Sequence, residues 1–148
     1  MPQIIRLEAV TPDAIAPYGQ IIDWSDALEA SGKAFHILAR SEAATGWRLA
    51  ALRVKSTSVT RLENHPETLE LFAPVSGSTV LLVAEPGGNP QSRVRAFVLD
   101  RPVCLGKGVW HAILTLGQEA TILIAENLEV GSQYCELEQE LVTGLAQR

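Results

Sequence analysis

The sequence predicts an all-β protein, an antiparallel sandwich or jelly-roll-like barrel with a short helix at each end. Two observations carry this. A series of short runs rich in Val, Ile, Leu, Thr or aromatic residues extends from Arg48 to Glu126, with turn residues between them. No segment between those runs has the length and period of a crossover helix, which argues against a parallel α/β sheet.

The elements follow in order. Thr11 is a helix cap, Pro12 suits the first helical position, and Pro17 with Gly19 ends the helix after about one turn. Gln20–Trp24 is expected to be extended. Residues 25–46 show no clean period and predict an irregular surface segment around His36. The predicted strands are Arg48–Lys55, Ser58–Leu62, Leu69–Phe72, Thr79–Ala84, Val94–Leu99, Gly108–Leu116 and Ala120–Glu126. Ser76-Gly77, Glu85 to Pro90, Asp100 to Pro102 and Gly117-Gln118 supply turns. In the tail, Glu136–Ala146 places Leu137, Leu141 and Leu145 at steps of four, which predicts a C-terminal helix with one apolar face.

With 148 residues, no internal repeat and no linker, the chain is expected to form one domain over residues 1–148. Hydrophobic residues make up 47% and charged residues 20%, a globular balance. The net charge of −5 and the lack of a basic stripe argue against a nucleic-acid partner. The opening MPQIIRLEAVTP has no signal-peptide pattern. The longest apolar runs, such as Thr79–Ala84, fall far short of the ~20 residues that span a bilayer. A cytoplasmic protein without a membrane partner is expected. Cys104 and Cys135 have no CxxC spacing, and reduced thiols are favoured over a lone disulfide.

The chain has three histidines. Glu63 and His65 lie two residues apart, so on a strand they share a face. Glu70 returns after the turn at Pro66, and His111 follows the glycine-rich segment Gly106-Lys107-Gly108. Taken singly, each has a structural role. His65 would anchor a turn, His111 beside Trp110 would be a hydrogen-bonded core histidine, Glu63 and Glu70 would be rim carboxylates, and His36 would be a surface residue. Taken as a set facing one interior, two unpaired carboxylates beside two imidazoles call for a cation or for acid–base chemistry.

The spacing around these residues resembles the two cupin motifs. The first is His, one residue, His, four residues, Glu, six residues, Gly. The second ends in Pro-x-Gly-x-x-His. The chain matches at His65, Glu70, Gly77, Gly108 and His111, and departs at Glu63 and Gly106. A narrower resemblance runs along nearly the whole chain, in order. It comprises Thr11 to Gly19, Glu63-Asn64-His65-Pro66 leading to Phe72-Ala73-Pro74, Arg95-Ala96-Phe97, and Gly108-Val109-Trp110-His111. These stretches resemble the ureidoglycolate lyase family, whose members split ureidoglycolate into glyoxylate and urea. The chain departs from that family at Ala112 (usually a second His), at Glu70 (usually Gln), at Ala34-Phe35-His36-Ile37 (usually Arg-x-His-Asp) and near Glu126-Asn127 (usually Asp-Arg).

The resemblance implies a cupin-type double-stranded β-helix barrel, homodimeric assembly and a small-molecule substrate. Elimination from a carbinol-urea needs a base for the hydroxyl proton and an acid for the departing nitrogen. His65, His111 and Glu70 are the candidate catalytic residues. Lys107, Arg95 and His36 are the candidates for binding the substrate. A divalent metal held by Glu63, His65, Glu70 and His111 would polarise the carbinol oxygen, and the donor set suits Zn, Mn, Fe or Ni. No organic cofactor is expected. Glu70 in place of Gln adds negative charge near an anionic substrate, which implies a metal-bound or protonated Glu70. The alternative function is a non-catalytic or orphan cupin that binds another small polar ligand.

Overall fold

The computed structural model describes residues 1–42 and 45–144. Eleven strands and two short helices form in the order β1 (Gln3–Ala9), α1 (Pro12–Ile15), β2 (Gly19–Ile21), α2 (Asp26–Ala30), β3 (Trp47–Val54), β4 (Val59–Asn64), β5 (Glu70–Ser76), β6 (Thr79–Ala84), β7 (Arg95–Val98), β8 (Val103–Leu105), β9 (Trp110–Thr115), β10 (Ala120–Asn127) and β11 (Gln133–Gly144). One sheet closes on itself in the order β1-β11-β4-β9-β6-β7. The other is open, in the order β2-β8-β5-β10-β3. The expected all-β barrel architecture is therefore present.

Two cores result. Between the sheets lie Phe72, Leu81, Val83, Phe97, Val103, Leu105 and Ile122, joined by Ile15 and Tyr18 from the N-terminal segment. Inside the closed sheet lie Leu62, Val80, Leu82, Ala84, Ala96, Trp110, Leu114 and Leu141. Strand alternation sends successive residues of β6 to opposite cores. All six of its residues are consequently buried, which explains its unbroken apolar sequence.

The N-terminal helix is as expected. Thr11 Oγ1 accepts a hydrogen bond from the Ala14 N–H and Pro12 sits in the first turn. The segment after Trp24 contains one helix that its sequence did not signal, α2, capped by Ser25.

The C-terminal segment corrects the sequence-based expectation. The described part of Glu136–Ala146 is not a helix but the end of β11, antiparallel to β4 and parallel to β1. A step of four is even, so Leu137 and Leu141 share a strand face as readily as a helix face. The alternation of Cys135, Leu137 and Leu141 with Glu136, Glu138 and Glu140 decides for the strand: Leu141 is buried in the second core, with Cys135 and Leu137 packed against it. Leu145 lies outside the described residues. β1 is a further strand without a clear sequence signal. Its first half pairs with β11 and its second half with β7, both parallel, and so closes the barrel. Both cysteines are free thiols, as expected, and burial pushes the Cys104 thiol up. No helix among the described residues is long and apolar enough to cross a membrane.

Candidate active site

The two motif segments meet because β4 and β9 pair at Glu63 and His111. Alternation along β9 directs His111 and Ile113 between the sheets, while Trp110 and Leu114 enter the second core. Opposite them, β5 directs Glu70 and Phe72 inward from the open sheet. Two backbone-level links fix the segments together. The Gly108 N–H donates to the His65 carbonyl at 2.8 Å, and Asn64 Nδ2 donates to the Gly108 carbonyl at 3.3 Å. Gly77 and Gly108 both have positive φ, +74° and +75°. A Cβ on Gly77 would also collide with the Glu119 carbonyl oxygen. Both glycines of the sequence pattern are thus backbone requirements of the turns that deliver the site.

Four predicted residues converge. His65 Nε2 is 2.9 Å and His111 Nε2 is 3.0 Å from the same oxygen, Glu70 Oε2. His65 Nε2 is also 3.3 Å from Glu63 Oε1. The two imidazole rings are 5.1 Å apart, and Phe72 meets His111 edge-on. His65, Glu70 and His111 are buried, and Glu63 is partly open to solvent.

The far nitrogens of both rings are committed. His111 Nδ1 lies 3.1 Å from the Val109 carbonyl, and His65 Nδ1 lies 3.2 Å from the Gly131 carbonyl. A carbonyl only accepts, so each Nδ1 carries a proton and donates. Ser132 reinforces this. Its hydroxyl donates to Glu63 Oε1, and its oxygen lies 3.2 Å from His65 Nδ1. In the neutral tautomer each Nε2 is then a lone pair aimed at a carboxylate oxygen. Glu70 Oε2 is a buried atom without a hydrogen-bond donor in that state.

Two additions satisfy it. Protons on the Nε2 atoms make imidazolium–carboxylate pairs, or a divalent cation takes the converging electron pairs. The spacing of the donor set suits such an ion. Two ligands about 2.1 Å from one metal and at right angles stand about 3.0 Å apart. The orphaned Glu70 oxygen and the two Nε2 atoms match that spacing. Among the described residues, two groups could hold a metal, Glu63–His65–His111 and His65–Glu70–Glu126.

The electrostatics refine the expectation for Glu70. Burial by itself raises its carboxyl, but hydrogen bonds from His111 and His65 outweigh burial and hold it at about 2. Glu70 is therefore ionised near neutral pH. Where no cation sits, the protons belong on the imidazoles and not on Glu70. For His65, burial lowers the imidazole, but the hydrogen bond and charge of Glu70, the Gly131 carbonyl and the Glu63 charge outweigh it, and the net shift is upward.

The remaining predicted residues lie elsewhere. Lys107 is exposed in its loop and does not line the cavity beside the cluster. Arg95 faces the same interior from β7, but Glu8 holds it through Nε and Nη2 at 2.9 and 2.6 Å. His36 packs against Trp24 and hydrogen-bonds with Ser31 and Lys33. It borders a separate apolar cavity of about 500 Å³ with Leu69, Leu71 and Cys104.

Four residues were missed from the sequence. Glu126 approaches His65 and Glu70, and Arg48 pairs with it at 2.6 Å. Ser132 joins Glu63 to His65, as described above. Arg61 lines the site cavity of about 250 Å³ with Glu63, Glu70, His111, Phe72 and Ile124. Arg61 had a usable signal, because it precedes Glu63 by two residues and so shares its strand face.

Comparison with known proteins identifies the family. The family model described as ureidoglycolate lyase matches residues 2–143. The chain belongs to the ureidoglycolate lyase family. The ureidoglycolate lyase of Pseudomonas syringae pv. tomato is 32% identical over 160 residues, covering 93% of this chain and 94% of that protein. The ureidoglycolate lyase of Burkholderia mallei is 30% identical over 138 residues, covering 82% and 81%. Among solved structures, a dTDP sugar isomerase from Desulfovibrio desulfuricans G20 is similar with a TM-score of 0.46 at 13% identity, covering 71% of this chain and 72% of that one.

Proposed function

We propose that the protein is a ureidoglycolate lyase, releasing glyoxylate and urea from ureidoglycolate within purine-nitrogen breakdown. The observation that carries this is the family match over residues 2–143. The convergence of His65, Glu70 and His111 beside a small cavity that Arg61, Glu63, Glu70 and His111 help to line supports it.

The reaction is an elimination in which the carbinol O–H loses its proton, the C=O bond forms, and the C–N bond breaks with a proton delivered to the urea nitrogen. Atoms balance without added water. His65, whose imidazole is raised, is the proton donor to the departing nitrogen. His111 Nε2 receives the hydroxyl proton. Glu70 holds both rings in register, and the Val109, Gly131 and Ser132 contacts at Nδ1 fix which nitrogen works. As the alternative to protons on the Nε2 atoms, Glu63, His65, Glu70 and His111 would hold a divalent metal, which when bound would supply Lewis-acid polarisation of the carbinol oxygen in place of proton transfer by the two rings.

The protein acts as a single domain in the cytoplasm, and as a homodimer. The outer face of the open sheet supports the dimer: Trp47, Leu49 and Val75 expose 74, 59 and 58% of their surface there. Sedimentation at micromolar concentration should give about twice 16.0 kDa, and a 16.0 kDa species alone would reject the dimer. Turnover of racemic ureidoglycolate, followed as glyoxylate and urea with and without added divalent ions, tests the function. Absence of both products under every ion would overturn it.

A further inference from the structure

The proposed substrate is a carboxylate, and the cluster that must receive it is rich in carboxylates of its own. Glu63 and Glu70 line the cavity. Glu126 stands beside them, with its charge met by Arg48. An anion entering this site needs a fixed cation, or repulsion keeps it out.

Among the described residues that line the cavity, Arg61 is the one Lys or Arg. Its placement follows from β4. It lies two residues before Glu63, and across the pairing with β11 it sits diagonal to Tyr134, the partner of Glu63. Its guanidinium carbon stands 4.3 Å above the Tyr134 ring. A cation–π contact of this kind restrains the head group while leaving the N–H fork free to donate. The other arginines near the barrel are differently engaged. Arg48 and Arg95 each sit in an ion pair with a glutamate, whereas among the described residues no ion pair engages Arg61.

We propose that Arg61, braced on Tyr134 at the cavity mouth, anchors the carboxylate of a small 2-hydroxy acid and so sets the substrate class. The proposal rests on the ureidoglycolate function above for its substrate. The fork grips the carboxylate from the β4 side, and the carbinol carbon is thereby presented inward, toward His65 and His111. The anchor is a binding residue and moves no proton.

The test uses the full chain with Arg61→Gln and Arg61→Lys. Thermal melting and bound metal serve as controls for fold and cluster. Glyoxylate and oxamate are titrated calorimetrically into each protein, and KM and kcat for ureidoglycolate are measured alongside. Removal of a charge-assisted, bidentate contact should weaken carboxylate binding and raise KM by about 10- to 100-fold. The change in kcat should be much smaller. Arg61→Lys should fall between, since an ammonium keeps charge but lacks the fork. Glyoxylate binding and KM in Arg61→Gln equal to those of the unaltered protein would overturn the anchor while leaving the reaction intact. Arg61-dependent glyoxylate binding without any ureidoglycolate cleavage would sustain the anchor and overturn the reaction. No binding of either carboxylate to the unaltered protein would overturn both.

Discussion

Glu70→Gln isolates the electrostatic centre of the site, because it keeps the side-chain shape and removes one charge. In the native chain the carboxyl is held at about 2 against an ordinary 4.5. At about 1.4 kcal/mol per pKa unit, the surroundings favour the ionised form by roughly 3 kcal/mol even after the burial penalty. Glu70 has a side-chain exposure of 8%, so little solvent screens that figure. Linkage is reciprocal: the contact with His65 that holds Glu70 down also holds the His65 imidazole up. His65 Nε2 stands 2.9 Å from Glu70 Oε2 and feels that charge directly. A glutamine there donates from its amide to one Nε2 and offers its carbonyl to the other, and both are neutral contacts. Burial, the largest influence on His65 and a downward one, is then opposed only by Gly131 and Glu63. The His65 midpoint should therefore fall in metal-free Glu70→Gln. Long-range proton–nitrogen NMR titration reads this directly, and also shows whether Nδ1 keeps its proton. An unchanged His65 midpoint, or a proton found on Nε2 with Nδ1 bare, would refute the account of the cluster.

Stability should follow the same two groups in metal-free protein. The His65 contribution is full below about 6.5, the unfolded value, and is lost as pH rises through its raised folded value. The Glu70 contribution is present above about 4.3 and is lost as pH falls toward its depressed value. Melting temperature of chelator-treated protein should thus peak between roughly pH 4.3 and 6.5, and the peak should flatten in Glu70→Gln. Gly77→Ala should cost at least about 1–2 kcal/mol in urea unfolding, since φ is +74° and the new Cβ meets the Glu119 carbonyl. Ala112→His should destabilise by about 1–3 kcal/mol through overpacking while leaving the His65 titration unmoved.

What the sequence revealed divides along physical lines. The strands from Trp47 to Asn127, β8 apart, were visible because two cores make their apolar positions dense and turns punctuate them. Gly77 and Gly108 were visible because a positive φ selects glycine. The C-terminal helix was misread because Leu137 and Leu141 satisfy two periods at once, and the glutamates alternating between them were the discriminating signal. β1 escaped because its pairing is split between two neighbours, and β8 because it has three residues. In the site, Glu63, His65, Glu70 and His111 followed from motif spacing. Glu126 and Ser132 did not, since each approaches the cluster through chain returns that leave no local pattern. Lys107 stands out in the sequence between its glycines, but an exposed loop holds it away from the cavity, while the same two-residue step that links Glu63 to His65 also reaches Arg61.

The departure at Ala112 bears on whether the family chemistry survives, and the fold answers it by geometry. Consecutive residues of β9 face opposite cores, so His111 and residue 112 cannot enter one ligand sphere from a regular strand. Ala112 borders the cavity and also packs against the second core. Its pairing with Leu82 and its place between Trp110 and Leu114 in the alternation direct its Cβ to the core side. The methyl there fits a region closed by Leu62, Leu82 and Trp110, where an imidazole would bury a polar ring among aliphatic neighbours. The substitution thus changes the packing behind the strand and leaves the Nε2 of His111 aimed at Glu70. The change that does enter the site is Glu70 itself. Its charge is matched by two imidazoles within 3.0 Å, so the cluster compensates internally for the carboxylate it buries.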